Sequence, residues 1–221
     1  MIIAVRQLLT DILPAQRQEI LSRMEEDTAI RYHSAVNPVK GFSLAAGRDL
    51  LRRLGASMLK KYPDAVRIWH ETNGKPYLKV LSSGRFVRTK YHVSISHSDG
   101  GLLAVMSKHN TACDIQGMRY FPLEAVRGFF SPYDFRLING AAESNSELIR
   151  LWCRRECLIK LFGAKFPVSK ISLGNKTELL KRFDVMIYEA QWKHLYLALA
   201  QVKENDSYCG YSVPNVKWVN V

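Results

Sequence analysis

The sequence predicts an α+β fold with antiparallel sheet, on three observations. Amphipathic helical stretches are interspersed with short strand-like runs. The connections between successive strands have hairpin length. A division near residues 108–111 leaves two portions, 1–108 and 109–221, of similar size and content. The expected architecture is therefore two similar subdomains, each a small antiparallel sheet packed on helices, with a ligand cleft between them.

LTDILPAQRQEILSRM has apolar residues at helical spacing, with Pro14 tolerated near a helix start. GFSLAAGRDLLRRLGASMLKKY (41–62) is a stronger helix, with Leu44, Leu51, Leu54 and Leu59 on one face and arginines on the other. In ETNGKPYLKV (71–80) an Asn73-Gly74 turn leads into an extended segment. YHVSIS (91–96), LLAVMS (102–107) and ACDIQ (112–116) are strands separated by the turn formers SDGG and KHN, so a β-meander is expected. A helix near 122–129 and a long helix over 144–163 follow. The tail, from SKISL through VMIYEA and LYLALAQV to YCGYSV, reads as strands.

The composition is that of an ordinary soluble globular protein, 47% hydrophobic and 24% charged, which excludes disordered, collagen-like and coiled-coil classes. The net charge of +12 favours an anionic partner, but the basic residues lie in short pairs such as Arg52-Arg53 and Lys60-Lys61. No basic tail and no nucleic-acid motif is present, so a nucleic-acid partner is not expected. The N-terminal MIIAVRQLLTDILPAQ is interrupted by Arg6 and Asp11 and lacks a basic leader, and no segment has the length of a membrane span. Cys113, Cys153, Cys157 and Cys209 show no disulfide framework spacing, which fits a reducing cytoplasm, and Cys153 and Cys157, one helical turn apart without a histidine, read as buried thiols rather than zinc ligands.

Four stretches carry residue types suited to chemistry. On the 144–163 helix, at about 100° per residue, Leu148, Leu151, Trp152, Arg155, Leu158, Ile159 and Phe162 share an arc. Glu156 lies at its edge with Lys160 one turn on, which by itself is a stabilising i,i+4 pair. Asp114 sits inside an apolar strand pattern, either as a solvent-face carboxylate or as one ligand of a hard cation shared with substrate phosphates. Ser94, Ser96, His97 and Ser98 end a strand at a glycine turn, and such hydroxyls and amides suit an anion. Lys75, in a Gly-Lys-Pro turn, is a weak anion-binding signal that matches no phosphate-loop motif.

Taken in order, GKP (74–76), SISHSDG (94–100), ACDIQ (112–116), FFSPYDF (129–135) and WCRRECLIK (152–160) resemble the motifs of the 4′-phosphopantetheinyl transferases. The resemblance is to the surfactin-synthetase-activating type, which carries two similar halves in one chain, and it extends over about residues 40–173. It implies a pseudo-twofold relation between the halves, and transfer of the phosphopantetheine arm of coenzyme A to a carrier-protein serine with release of 3′,5′-ADP. It further implies Mg²⁺ between the halves, with Mn²⁺ as an alternative, an acidic carrier protein as partner, and a cytoplasmic monomer.

Carried over by position, Asp114 and Glu156 match the metal-binding carboxylates, with Gln116 where many relatives are acidic. Lys75, Ser96 and His97 match positions around the adenine and 3′-phosphate, and Arg155 and Lys160 those near the diphosphate. Lys40 and Arg48 are the N-terminal basic candidates. The resemblance casts Glu156 as a base for the serine proton and Lys160 as a charge or proton donor to the departing 3′,5′-ADP. Gln116 adds no charge, which is the one feature favouring a non-catalytic relative that only binds coenzyme A or a carrier protein.

Overall fold

The structure, a computed structural model, describes residues 2–202 and 216–219. It is α+β, built from three small sheets and flanking helices. A first strand, β1 (Ile2–Leu8), precedes α1 (Pro14–Ser22), α2 (Glu26–His33) and α3 (Pro38–Leu59). The long helix starts at Asn37, whose side-chain oxygen accepts from Val39 N at 2.9 Å, with Pro38 in the first turn where its missing N–H costs nothing. It lies close on the strands below because residue 55 is glycine: a Cβ there would stand 2.8 Å from Leu78 Cδ1.

Strands β2 (Val66–His70), β3 (Pro76–Ser82) and β4 (Arg85–Arg88) form a separate antiparallel sheet. β5 (His92–Ser98) and β6 (Gly101–Ser107) make a hairpin whose two turn residues, Asp99 and Gly100, both have positive φ (46° and 79°). That is the backbone a tight hairpin between twisted strands requires. β7 (Thr111–Gly117) does not complete the expected meander. The second edge of β6 is already taken by β1, in the order β10-β1-β6-β5, and β7 instead pairs with β9 in a sheet ordered β7-β9-β8. The N-terminal segment, not read as a strand from the sequence, takes that edge of β6.

α4 (Leu123–Val126), α5 (Pro132–Gly140), α6 (Ser144–Phe162) and α7 (Lys176–Phe183) follow, then β8 (Val185–Trp192), β9 (Leu195–Val202) and β10 (Val216–Val219). β10 runs parallel to β1, and every other pairing among the described residues is antiparallel. SKISL is no strand. Its Ile171 and Leu173 are buried anchors of a loop held by the Asp134 carboxylate, which accepts from Leu173 N (2.8 Å), Gly174 N (2.7 Å) and the Ser131 hydroxyl (2.8 Å). YCGYSV, with Cys209, lies outside the described residues. Cys113, Cys153 and Cys157 are free and buried.

Alternate residues of β6 face different cores. Leu102, Ala104 and Met106 pack under α3, while Leu103 and Val105 meet Cys113, Ile115, Leu197 and Leu199 of the second sheet. The opposite face of that sheet, with Ala112, Ala198 and Ala200, packs on Leu151, Cys157 and Leu158 of α6. The layers therefore run α3, sheet, sheet, α6. No helix among the described residues is long and apolar enough to cross a membrane.

Candidate functional site

Two edge strands, β5 and β7, lie side by side without a shared backbone ladder. Their contact is made by side chains: the hydroxyls of Ser94, Ser96 and Ser98 accept from the N–H of Cys113 (3.2 Å), Ile115 (3.4 Å) and Gly117 (3.4 Å). The Ser-x-Ser-x-Ser alternation is the sequence signal for this seam, since period-2 spacing aims all three hydroxyls at one neighbour. Ser96, predicted for a ligand, is buried here and also donates to Asp114 Oδ1 at 2.7 Å. Ser96→Ala removes both bonds and is expected to cost about 1–3 kcal/mol, read as a shift in the urea unfolding midpoint.

Asp114 points away from Cys113 and Ile115, as strand alternation requires, toward α6. Its carboxylate is almost fully buried and accepts from three donors: Ser96 Oγ, Lys160 Nζ (2.8 Å) and Gln116 Nε2 (2.9 Å). Lys160 also donates to Cys113 O at 3.0 Å. Burial alone would weaken the ammonium, but Asp114 more than offsets this and raises the Lys160 pKa. Lys160 is therefore held as a fixed cation and is a poor proton donor.

One turn back on α6, Glu156 accepts from Arg155 Nη1 at 2.5 Å. Its pKa lies above the ordinary carboxylate value, first through burial and second through repulsion by Asp114, with Arg155 and Lys160 acting the other way. Arg155 lies over the rings of Phe129 (4.8 Å) and Trp152 (4.9 Å). Asp114, Gln116, Arg155, Glu156 and Lys160 are thus brought together.

The remaining predicted residues divide. Lys75 lines a cleft of about 610 Å³ between the Gly-Lys-Pro turn, β5 and the end of α6, together with Ser94, Ile95, Ile159, Lys160 and Phe162. Its Nζ donates to Asn110, whose amide reaches Leu161 O at 3.5 Å, and burial lowers its pKa. Asn110 was not anticipated, although it belongs to the KHN turn that was. His97 is on the exposed side of β5. Its pKa is lowered first by the desolvation its neighbours impose, then by the charge of Lys160, with Lys40 adding to it. Arg48 is not in the cleft. It is buried, with Nη1 on Asp27 (2.8 Å) and Thr28 and Nη2 at 3.1 Å from His70 Nε2.

Arg154, beside Arg155 in sequence, points the other way. It is buried in a two-pronged pair with Glu189 (2.6 and 2.7 Å). A separate cavity of about 400 Å³ is lined by Arg23, Glu25, Arg52, Asp64 and Arg67. Two ion pairs lie within its lining, Arg52 with Glu25 and Arg23 with Asp64, both at 3.5 Å.

The donor set suits a hard divalent cation that keeps open positions. Among the described residues, no three carboxylate, imidazole or thiol side chains converge as a metal cage. Two carboxylates that repel one another and a neutral amide are the partial shell expected where substrate phosphates and water complete the coordination.

No family model matches the chain. The chain is 23% identical over 181 residues, 77% of its own length and 71% of the other's, to the 4′-phosphopantetheinyl transferase gsp of Aneurinibacillus migulanus.

Proposed function

We propose that the chain is a 4′-phosphopantetheinyl transferase of the surfactin-synthetase-activating type. It moves the phosphopantetheine arm of coenzyme A to a serine of an acidic acyl or peptidyl carrier protein and releases 3′,5′-ADP. In this reading residues 1–108 and 109–221 are halves related by a pseudo-twofold axis, acting as a monomer in the cytoplasm. What carries it is the convergence of Asp114 and Glu156 beside Lys160 and Arg155, next to the cleft that Lys75 lines. The similarity to a protein bearing that name supports it.

Asp114 and Glu156, with Gln116 beside them, would hold Mg²⁺ or Mn²⁺. When bound, the ion supplies charge neutralisation at the coenzyme's diphosphate. Arg155 and Lys160 add fixed positive charge to the same oxygens, and Lys160 stabilises the departing 3′,5′-ADP as a cation rather than as an acid. Lys75, His97 and Lys40 meet the adenine and 3′-phosphate end, Ser96 supports that wall, and Arg48 braces His70 behind it. The serine oxygen bonds to the phosphorus that carries pantetheine, and the bond from that phosphorus to 3′,5′-ADP breaks. The serine proton passes to Glu156, directly or through water, since a carboxylate with a raised pKa is a better proton acceptor near neutrality.

The test is intact-protein mass spectrometry of several apo carrier proteins incubated with this protein, coenzyme A and Mg²⁺. A mass gain of one phosphopantetheine, abolished by EDTA, is expected. No gain on any carrier while coenzyme A still binds would assign the chain to the non-catalytic relatives that Gln116 favours.

A further inference from the structure

The site around Asp114 is electrically balanced without a metal. Asp114 and Glu156 carry two negative charges, Arg155 and Lys160 two positive ones, and Gln116 none. Both oxygens of Asp114 are engaged, Oδ1 by Ser96 and Lys160 and Oδ2 by Gln116. The carboxylate also sets the amide's orientation, because the Gln116 oxygen turned inward would place two acceptors 2.9 Å apart. A cation approaching the protein alone would have to displace a donor from Asp114 while finding no net negative charge. A diphosphate arriving with the cation removes both obstacles: it supplies anionic oxygens and gives Arg155 and Lys160 new partners.

We infer that Gln116 sets the order of uptake at this site: the divalent cation binds together with the coenzyme's diphosphate and not to the protein beforehand. The inference rests on the transferase reading above. A glutamate at 116 would put a carboxylate where the amide now donates to Asp114. The local balance would become −1, and two like charges at hydrogen-bond distance would require a cation between them. Gln116 is thus a positioning residue that holds Asp114 ready while keeping the empty-handed protein from capturing metal.

Binding of Mn²⁺, followed by loss of the free-ion electron paramagnetic resonance signal, tests this without any turnover. Three samples of the full chain are compared: wild type alone, wild type with saturating coenzyme A (corrected for Mn²⁺ on coenzyme A itself), and Gln116→Glu alone. Affinity follows the number of ligand charges, so coenzyme A should tighten Mn²⁺ binding to wild type by more than ~10-fold, and Gln116→Glu should do so without coenzyme A by a similar factor. Equal Mn²⁺ affinity of wild type with and without coenzyme A would overturn the inference, as would a folded Gln116→Glu variant no tighter than wild type. The wild-type comparison decides the order of uptake even if the variant does not fold. Calorimetry with coenzyme A separates the two levels: no binding of coenzyme A removes the transferase reading and this inference together, whereas normal binding with metal-first uptake removes this inference only.

Discussion

Glu189→Gln is expected to destabilise the protein by about 3–5 kcal/mol, because it leaves Arg154 buried without its countercharge. Glu189 receives two parallel bonds from Arg154 and a third contact from Lys176 Nζ at 2.5 Å, with Arg150 nearby at 3.7 Å. Burial would raise its pKa, but the Arg154 bonds and charge, then Lys176, pull it down to about 2. The pH dependence follows from the direction. A folded pKa below the unfolded value of 4.5 gives stability that is present in full above 4.5 and lost as pH falls toward 2. The shift corresponds to about 3 kcal/mol at most. Urea unfolding of wild type and variant at a series of pH values checks both parts. The gap between them should be widest near neutrality and close progressively below pH 4.5. A gap that stays constant down to pH 2 would mean that Glu189 is not the ionised partner described.

Glu156→Gln, by contrast, should leave the fold intact and slow transfer by about 10²–10⁴-fold, the range for loss of a positioned base. The amide keeps the size of the side chain and can still accept from Arg155, but it takes up no proton and offers a cation less charge. The time course of carrier mass gain, with far-ultraviolet circular dichroism as the folding control, measures it. A rate within threefold of wild type, taken as roughly unchanged given the range above, would remove Glu156 from the chemistry.

Helical periodicity found α3 and α6 with their lengths nearly right, because in both a continuous apolar arc faces a sheet. It also put Glu156 and Lys160 one turn apart, as the structure has them. Partnership across the chain was less legible. Lys160 bonds Asp114, 46 positions away, so the local Glu–Lys pair suggested by spacing is replaced by a non-local one. Arg154 and Arg155 are adjacent and chemically alike, yet about 100° of helix rotation sends one to Glu189 in the interior and the other to Glu156 at the site. Arg48 carried the right charge for an anion site, but Asp27 on α2, a helix not read from the sequence, engages it. The β-meander failed for a similar reason: hairpin-length turns limit where β7 can go, while the edge of β6 was taken by β1, far upstream in the register Ile2↔Ser107 to Leu8↔Gly101.

The seam between β5 and β7 has a consequence for how this molecule can change over generations. A backbone ladder persists through almost any replacement of side chains, since its donors and acceptors are not encoded by residue type. A ladder of hydroxyls is encoded by residue type at every rung. The polar part of the seam between the two strands therefore depends on three codons, at 94, 96 and 98, and a serine-to-alanine change at any of them deletes one hydroxyl contact with hardly any change in volume. The middle rung is also a donor to Asp114. Drift at position 96 would thus alter the charge environment of the site while leaving both of its carboxylates in the sequence.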